Sequence, residues 1–332
     1  MTVIKKFKCS YLGIDIGSKN IKLASTPGDI HKYKYSTITT PSGSYINGYI
    51  KDIPTMADAI NNCLNGESKL SVKNVVFSIL SSDIIIRDMI IPAVPAKELP
   101  RLVNNIAEEY IPTSLDEFVT DFKPLEIVNN GGMQKQRILL AAAPCSLING
   151  YLELADKMSM NLSAIDVYQN CIIKAAGCLD KSEYVDYLIL DVGGQRSTAT
   201  FFEGGVFAFS RILDLGGDDI TRMISGEENI PMNEAEKLKK ESACPNLVIN
   251  SSHLFEDFKN ALERCVDYYV TRYNPHGLQK VLLIGGGASF LPLQSYISEC
   301  LNLMAVTADS FLPHGCGMVF NALGASMREG KL

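Results

Sequence analysis

The sequence predicts an α/β protein made of two similar lobes that face each other across a cleft. Three observations predict this fold class: a strand–turn–strand unit that carries an aspartate near the N-terminus, a second copy of that unit past the middle of the chain, and a glycine-rich turn behind a buried strand further on. A pattern that recurs within one chain is typical of an internal duplication. The 332 residues, 46% of them hydrophobic, are enough to build and bury two such lobes.

The first unit reads L-G-I-D-I-G-S-K-N-I-K over residues 12–22. Alternating apolar residues on both sides of the turn predict two strands, and Gly17 suits a tight turn that needs a positive φ. The amide N–H groups of the turn can then point at an anion. Asp15 stands where a magnesium ion on that anion would be held through water. The anion would contact Gly17, Ser18, Lys19, Asn20 and Lys22.

The second unit reads L-I-L-D-V-G-G-Q-R-S-T-A-T-F-F-E over residues 188–203. Its Asp191 corresponds to Asp15 and its Gly193 to Gly17, and an alternating strand follows the turn in both units. Two ordinary hairpins that share a D-x-G turn are the alternative interpretation. We favour a duplication, in which the two aspartates face one ligand, because a third glycine-rich element follows in order.

That third element is V-L-L-I-G-G-G-A-S-F-L-P-L at residues 281–293, an apolar strand that runs into three glycines and Ala288. Glycines at such a turn let the backbone lie against a planar or phosphate-bearing ligand. Neither a G-x-G-x-x-G pattern nor a closing G-K-[S/T] is present. Gly216 and Gly217, before a helix, form another place where the backbone can approach a ligand; a plain strand-to-helix turn is the alternative there.

Apolar spacing predicts the other elements of the first half of the chain. In order, these are strands at 32–39 and 75–79 around a helix at 53–64, a strand at 84–91, a helix at 96–110, strands at 118–125 and 136–143, and a helix to Met158 that Ser146 caps. The block from the strand at 84–91 to that helix forms a small α+β module inserted into the first lobe. Composition leaves open whether it docks a partner or only completes the core of the first lobe.

The second half of the chain returns to the plan of the first lobe. In order, these elements are a strand and helix at 165–177, the second hairpin, a strand at 206–213 after the Gly204–Gly205 turn, helices from Gly217, from 233 to 240, and from Ser251 or Ser252 to Tyr273, a strand at 305–307 and a helix at 317–327. The charged helix has Asn233 as its N-cap and Glu236 at the third position. The plain interpretation of such a charge run is a solvated face.

Composition argues against several classes of function. The net charge of −6 leaves no basic excess for a general nucleic-acid binder. Nine cysteines without a C-x-x-C pair, and only four histidines, favour buried thiols in a reducing cytoplasm over a zinc site or a disulfide framework. No apolar run is long enough to span a membrane, and the first ten residues lack the apolar core of a signal peptide. We therefore expect a cytoplasmic protein without direct membrane insertion.

Taken in order, D-I-G-S-x-x-x-K at 15–22, D-V-G-G at 191–194, L-G-G-D at 215–218 and I-G-G-G-A at 284–288 resemble the superfamily of actin-like proteins, sugar kinases and heat-shock chaperone ATPases. Within it, nearly the whole chain is similar to the PilM family of type IV pilus assembly. The inserted module, with I-I-I-R-D-M-I-I-P-A-V-P-A-K-E-L and E-E-Y-I-P-T-S-L-D-E-F-V-T-D-F, resembles the small subdomain that PilM shares with the division protein FtsA.

The resemblance implies an actin-like, ribonuclease H-like fold of two α/β lobes with a small inserted α+β subdomain of the FtsA/PilM type. Residues 1–80 and 164–186 would form the first lobe, on which the C-terminal helix 316–328 packs. Residues 81–163 would form the inserted subdomain that docks a partner, and residues 187–315 the second lobe.

The resemblance also implies an ATP site between the lobes, with Mg²⁺ held through water by Asp15 and Asp191. The phosphates would be approached from the second hairpin by Asp191, Gly193, Gly194 and Gln195. The adenosine would be surrounded by Gly216, Gly217, Asp218, Gly286, Gly287 and Ala288, and its ribose and base would contact Glu236, Lys239 or Lys240.

Two departures from hydrolysing relatives predict slow or absent ATP turnover. Those relatives place a carboxylate or an amide just before the helix that leads to the second hairpin, where it orients the attacking water. Here that place falls on Tyr168, which orients water poorly, with Gln169 beside it as a candidate catalytic residue together with Asp15 and Asp191. Gln195 and Arg196 also replace the small residues of the chaperone hairpin.

PilM-like proteins are scaffolds on the cytoplasmic face of the inner membrane, where they bind the N-terminal tail of the single-pass protein PilN. The resemblance therefore implies an ATP-binding scaffold of pilus or related secretion machinery, peripheral to the membrane through a PilN-like partner. An extended tail would lie in a groove between the first lobe and the inserted module. Self-association is left open.

Three alternatives share the same cleft. An FtsA-like filament protein is the runner-up. It ranks second because it needs a C-terminal amphipathic membrane helix, and the ending A-S-M-R-E-G-K-L gives no reason to expect one. A sugar or acetate kinase needs a catalytic aspartate in the first lobe, and none stands out. A chromosome- or plasmid-segregating filament would lack the inserted module, and electron microscopy for ATP-dependent filaments would distinguish it.

Overall fold

The computed structural model describes residues 11–26, 32–66, 70, 72–111, 115–130, 133–179, 185–241, 253–310 and 315–328. The first half contains β1 (Leu12–Ile16), β2 (Asn20–Ser25), β3 (Lys34–Thr39), β4 (Tyr45–Ile46), β5 (Tyr49–Ile50), α1 (Ile53–Asn65), β6 (Asn74–Ile79), β7 (Ile85–Pro92), α2 (Leu99–Tyr110), β8 (Phe118–Asn130), β9 (Met133–Pro144), α3 (Cys145–Lys157), β10 (Asn161–Val167) and α4 (Tyr168–Ala176). The second half contains β11 (Tyr187–Val192), β12 (Ser197–Glu203), β13 (Val206–Leu213), α5 (Gly217–Glu228), α6 (Met232–Glu241), α7 (His253–Arg272), β14 (Lys280–Ile284), α8 (Leu291–Leu301), β15 (Met304–Thr307) and α9 (Cys316–Ser326).

Two five-stranded sheets share one topology, with strand orders β10-β6-β1-β2-β3 and β15-β14-β11-β12-β13. In each sheet an antiparallel hairpin, β1–β2 or β11–β12, is extended by a third antiparallel strand on one side and by two parallel strands on the other. The registers correspond as well: Asp15 lies opposite Lys22, and Asp191 lies opposite Thr198. The repeated hairpin in the sequence therefore reflects two repeated sheets.

Each sheet is buried by helices. In the first sheet, Leu12, Ile14 and Phe77 have no exposed surface, and in the second sheet Leu188 and Leu283 have none. Their strands read as nearly continuous apolar runs because parallel strands covered on both faces have no solvent side. Full burial of each such side chain contributes about 1.5–3 kcal/mol.

The inserted subdomain is a three-stranded sheet, β7-β9-β8, covered by α2. Its core includes Ile91, Val103, Ile138 and Leu140, all buried. The strands β8 and β9 are longer than the sequence predicts, because residues 129 and 130 of the expected turn pair with residues 134 and 133 in the antiparallel ladder.

Helix α3 packs in the core of the first lobe, although the sequence-based boundary at residue 163 places it in the inserted subdomain. Its Leu147, Tyr151 and Leu154 share a buried cluster with the strands of the first sheet. Along the chain, α3 precedes β10 as α8 precedes β15. The predicted cap at Ser146 is wrong: α3 begins at Cys145 after Pro144 and has no side-chain cap.

The two lobes are joined by α4 and α9, which pack against each other. A Cβ at Gly324 of α9 would overlap the carbonyl oxygen of Cys171 in α4, and a Cβ at Gly13 of β1 would overlap that of Ala322. Glycine is needed at both positions because backbone meets backbone there. The buried cluster around α4 and α9 includes Ile189 and other residues of the second sheet, so these helices position one lobe against the other.

Two further local predictions are wrong. Gly17 does not adopt a positive φ, whereas Gly204 and Gly205 do. Helix α6 begins at Met232 after a proline, which places Asn233 inside the helix rather than at its N-cap; a proline just before the first turn is already preset for helix entry. The predicted start of the long helix, at residue 251 or 252, lies outside the described residues. Within them, α7 spans His253–Arg272. Among the helices described, none combines the length and apolarity needed to cross a bilayer.

Candidate functional site

The two predicted hairpins have matching turns. Gly17 N–H donates to the carbonyl of Asn20 over 3.0 Å, and Gly193 N–H donates to the carbonyl of Arg196 over the same 3.0 Å. A Cβ at Gly193 would lie 2.7 Å from that carbonyl oxygen, which explains the glycine. The first turn is braced by Thr40, whose hydroxyl donates to the carbonyl of Gly17 over 2.7 Å, a residue the sequence did not single out.

Each turn leaves backbone donors available. The amide N–H groups of Ser18, Lys19, Gly194 and Gln195 donate no hydrogen bond to any other part of the chain that the structure describes. The sequence predicts these amides, on these turns, as anion ligands. A concave group of free amides with a neighbouring lysine is a setting in which proteins bind phosphate.

The two turns lie in direct contact. A Cβ at Gly194 would lie 2.6 Å from Cγ of Lys19 and 2.9 Å from Oγ of Ser18. The amine of Lys19 also forms an ion pair of 2.9 Å with Asp218, at the start of α5 in the second lobe. The first lobe therefore contacts the second at the positions predicted to hold one ligand.

Behind the turns, Lys22 pairs with one predicted aspartate and lies close enough to the other to interact with its charge. Its amine is 2.9 Å from Oδ2 of Asp15. Burial alone would lower the pKa of Lys22, but attraction by Asp15 and then Asp191 outweighs burial and leaves that pKa raised. Burial also raises the pKa of Asp191, and nearby Asp15 raises it further, while Lys22 and Tyr168 oppose the change. The structure thus brings Asp15, Lys22 and Asp191 together.

Tyr168 is the residue that the sequence resemblance aligns with the water-orienting group of hydrolysing relatives. It is the first residue of α4, is 2% exposed, and its hydroxyl donates to Oδ2 of Asp191 over 3.0 Å. Burial, followed by the charge of Asp191, holds the pKa of Tyr168 well above its usual range. Gln169 follows in α4 and is also buried, but the contact to Asp191 is made by Tyr168.

The glycine-rich turn packs against the second hairpin. Gly285, with φ +85°, lies against Asp191, because a Cβ there would overlap Oδ1 of the carboxylate. Gly287 lies against Val192 in the same way, Ala288 is buried beside it, and only Gly286 faces open space. Gly285 is therefore a site residue that the sequence analysis passed over in favour of its two neighbours; the triple glycine was the signal.

Gly216 and Gly217 bring the start of α5 under the second turn. Gly217 N–H donates to Gly193 and Asp218 N–H donates to Gly194, both over 2.8 Å. A Cβ at Gly216 would overlap the backbone of that turn. The amides of Gly217 and Asp218 thus donate to the turn of the hairpin. Gly216 allows the close packing of α5 against that turn.

The charged helix α6 contacts α5 through Lys239. Its ammonium donates to the carbonyl of Gly217 (2.8 Å), to the hydroxyl of Thr221 (2.7 Å) and to Oε2 of Glu236 (2.6 Å), which uses all of its N–H bonds. Burial alone would raise the pKa of Glu236, but the hydrogen bonds from Lys239 and Thr221 outweigh burial and lower it. The exposed Lys240 lies 3.5 Å from Oε1 of the same carboxylate.

The donor set fits a water-rich cation better than a protein cage. The described residues contain no cluster of three or more His, Cys, Asp or Glu side chains arranged for a metal. Asp15 and Asp191 converge from two lobes, which suits Mg²⁺, an ion that keeps several waters and uses one or two carboxylates together with phosphate oxygens.

Comparisons with solved structures agree with this architecture. The chain resembles a PilM–PilN type IV pilus biogenesis complex with a TM-score of 0.79 and 22% identity, over 97% of this chain and 99% of that chain. It also resembles the ethanolamine utilization protein EutJ of Carboxydothermus hydrogenoformans, with a TM-score of 0.56 and 14% identity over 96% of this chain and 89% of that chain. The predicted two-lobe actin-like fold is confirmed.

Sequence comparison gives the family. The cell division protein FtsA of Bacillus subtilis (strain 168) is 25% identical over 150 residues, which span 45% of this chain and only 32% of FtsA. The family model described as type IV pilus assembly protein PilM matches residues 13–318. With its two sheets, its paired aspartate hairpins and a match over nearly its whole length, the chain belongs to the PilM family of type IV pilus assembly proteins.

Proposed function

We propose that this protein binds ATP with Mg²⁺ between its two hairpins and acts as a scaffold in pilus assembly with little or no ATP turnover. The observation that carries the proposal is that the two aspartate hairpins, one from each lobe, meet at their turns, with Lys22 paired to Asp15 and within reach of the charge of Asp191. Two carboxylates from facing lobes, a lysine beside them and free amides on both turns suit a phosphate chain that carries a divalent ion.

The phosphates would be held by the turn amides and by Lys22, and the ion by Asp15 and Asp191 through water. When bound, Mg²⁺ would neutralise phosphate charge. On the adenosine side, Gly286 faces open space, and Glu236 and Lys240 have surface left for a ribose. Lys239 would act indirectly, by fixing the position of the Glu236 carboxylate.

The Tyr168 hydroxyl supports slow turnover. A water-orienting group must offer an acceptor to the attacking water within hydrogen-bond reach. The phenol oxygen of Tyr168 is a weaker acceptor than a carboxylate or amide oxygen. Its proton is directed to Asp191, and the other oxygen of Asp191 packs against Gly285. The aspartate is thus held by the protein on both sides, which favours nucleotide binding over hydrolysis.

We further propose that the partner is the N-terminal tail of a PilN-like membrane protein, docked with the help of the inserted subdomain. Family membership supports this proposal, as does the similarity to a PilM–PilN complex. Three large apolar side chains of the inserted sheet are also half exposed, namely Ile90, Val119 and Ile127. Each of them would lose contact with water if an apolar side chain of the tail covered it, which favours docking on this sheet. Attachment through such a partner would keep the protein at the cytoplasmic face of the membrane.

Titration with a fluorescent ATP analogue tests the nucleotide proposal. We expect saturable, magnesium-dependent binding to the wild type and its loss in Asp191→Ala. Phosphate release by the pure protein with MgATP measures turnover. Multiple turnovers per minute without a partner would contradict the scaffold assignment, and wild-type protein that shows no binding would contradict the site itself.

Titration with a synthetic peptide of the predicted PilN-like tail tests the partner proposal. The peptide is taken from the same genome, and its affinity is measured with and without MgATP. Failure to bind under both conditions would reject this partner. The partial match to FtsA favours one second candidate, self-association into filaments, which electron microscopy with MgATP tests.

A further inference from the structure

Two β-bulges, one in the inserted subdomain and one in the second lobe, converge on Arg137 of β9. In β8, the register shift between Pro124 and Glu126 leaves Leu125 as an extra residue and sets Glu126 opposite Arg137. In β13, a register shift leaves Ala208 as an extra residue at the edge of the second sheet. Bulges re-aim groups that regular pairing would direct elsewhere.

Arg137 is only 7% exposed, and its guanidinium is held by the inserted subdomain and by the second lobe. Within the inserted sheet, Nε donates to Oδ1 of Asp88 over 2.8 Å and Nη2 to Oδ2 over 2.7 Å, while Nη1 donates to Glu126 over 3.0 Å. Across the interface, Nη2 donates over 2.7 Å to the carbonyl of Ala208, which the bulge has left out of the register. Bidentate pairs of this kind are rigid and geometrically specific.

The second lobe adds an aromatic face to this contact. Cζ of Arg137 lies 5.8 Å from the centroid of the Tyr273 ring. The Tyr273 hydroxyl donates to the same carbonyl of Ala208 over 3.2 Å. The interface is therefore built around one cation, one carbonyl and one ring.

The same face of the inserted sheet also contacts the first lobe, because Lys123 of β8 pairs two positions from Arg137 along β9. Lys123 of β8 donates over 2.5 Å to the side-chain carbonyl of Asn170 in α4. Asn170 lies two positions after Tyr168, whose hydroxyl contacts Asp191. The inserted subdomain thus spans the junction of the lobes, with Lys123 on one lobe and Arg137 on the other.

We propose that Arg137 is a clamp that couples the inserted subdomain to the second lobe, so that a change of the cleft on nucleotide binding is transmitted to the docking subdomain. A rigid subdomain fastened to two lobes cannot keep both contacts when the lobes move, and one contact must shift. Coupling of this kind is reciprocal, because an occupant of either site then changes affinity at the other. The transmitted part of the proposal rests on the proposed nucleotide binding.

Hydrogen–deuterium exchange of the full chain tests the clamp, with Arg137→Met as the main variant. Its matched control is Lys259→Met, which removes one cation from an exposed ion pair on α7. Without nucleotide, Arg137→Met leaves the carboxylates of Asp88 and Glu126 unpaired, and we expect exchange in β7 and β13 to quicken by about tenfold or more. If Arg137→Met does not fold, Tyr273→Phe keeps the ring and should quicken the same segments about two- to threefold.

Unchanged exchange in β7 and β13 of these variants would overturn the clamp. With a non-hydrolysable ATP analogue and Mg²⁺, the wild type should show altered exchange in both hairpins and in residues 85–144. In Arg137→Met, the hairpins should still respond and residues 85–144 should not; a retained response there would also overturn the proposal. A wild type whose hairpins do not respond would refute nucleotide binding and the transmitted coupling, while the arm without nucleotide still decides whether Arg137 fastens the interface.

Discussion

The hydroxyl of Tyr168 donates a 3.0 Å hydrogen bond to Asp191, so the first residue of α4 in one lobe holds the aspartate of the other lobe. Both residues belong to the site that we propose for the phosphates of ATP. The hydrogen bond fixes the Asp191 carboxylate in place, and it occupies the single proton of the Tyr168 hydroxyl. Whether the protein hydrolyses a bound nucleotide should therefore depend on this hydroxyl.

Tyr168→Gln is expected to raise the rate of phosphate release by about tenfold or more, because an amide oxygen accepts a hydrogen bond from the attacking water more strongly than a phenol oxygen does, while the amide N–H can still donate to Asp191. A phosphate-release assay with saturating MgATP measures the change. The control is Tyr296→Phe, which removes a buried hydroxyl that donates to the carbonyl of Phe255 over 2.7 Å in the second lobe. A Tyr168→Gln protein that binds ATP normally yet releases phosphate at the wild-type rate would contradict this role.

Lys22→Met is expected to weaken ATP binding by about 10- to 100-fold, since a hydrogen bond to a charged group contributes about 1.5–3 kcal/mol. Lys174→Met is a close control. The Lys174–Asp166 pair spans 2.8 Å with side chains 18% and 16% exposed, as the Lys22–Asp15 pair spans 2.9 Å with 18% and 16%. Both variants should lose similar stability, and only the first should lose ATP affinity in a fluorescence titration. Equal ATP affinities of the two variants would show that Lys22 does not contribute to nucleotide binding.

Gly324→Ala is expected to destabilise the protein by about 3 kcal/mol or more, because the added Cβ overlaps the carbonyl of Cys171 and overpacking of a rigid contact is costly. The control is Gly226→Ala in α5, where the added Cβ meets open space. That change should stabilise by about 0.5–1 kcal/mol, as expected for glycine in a helix. Urea unfolding measures both, and a well-tolerated Gly324→Ala would rule out close packing of α4 on α9.

Tyr273→Phe is expected to change how stability depends on alkaline pH. Burial, then the charge of Asp88, raises the pKa of Tyr273 from 10.0 to about 12, against the opposing charge of Arg137. Above about pH 10 the unfolded chain loses this proton while the folded chain keeps it, so this contribution to stability falls as pH rises from about 10 through 12. Phenylalanine has no such proton.

The stability difference between wild type and Tyr273→Phe should therefore be constant below about pH 10 and shrink above it, as measured by urea unfolding at several pH values. Tyr268→Phe is the comparison, because Tyr268 belongs to the same aromatic cluster and is 45% exposed. A stability difference that widens at alkaline pH would show that the folded chain does not retain the Tyr273 proton.

Ile127→Asp is expected to weaken binding of the PilN-like tail by about tenfold or more, since burial of one isoleucine contributes about 1.5–3 kcal/mol and a carboxylate resists burial. Met304→Asp is the control, because Met304 is also an exposed apolar residue (69% against 55%) but lies in the second lobe. Isothermal titration with the peptide compares the two. Equal affinities would place the tail elsewhere.

The hairpins could be read from the sequence because their information is local. Strand alternation, the D-x-G turns and the triple glycine are patterns over a few residues, and the two sheets follow from their repetition. The errors are local as well. The Ser146 and Asn233 caps are wrong because each helix starts earlier, directly after a proline, and a proline keeps the residue that precedes it out of the helical conformation.

Long-range contacts could not be read in this way. The sequence marked Gly216 and Gly217 for a ligand, whereas the structure packs Gly216 against the second turn and joins Gly217 to it by a hydrogen bond. Gly285 received no role because its neighbour Asp191 is distant along the chain. Arg137 read as one charge in a strand, and nothing in the sequence shows that two bulges meet at it.

The sequence by itself determined the class of fold, the repeated lobe and the residue types at the two hairpins, since each depends on patterns within single strands and turns. Only the tertiary structure decided that Lys22 pairs with Asp15, that Tyr168 holds Asp191, and that the inserted subdomain is fastened to both lobes. The physical reason is that such contacts depend on the packing of α4 and α9 and on register shifts between strands. Both are set by close approach of backbone segments far apart in the chain.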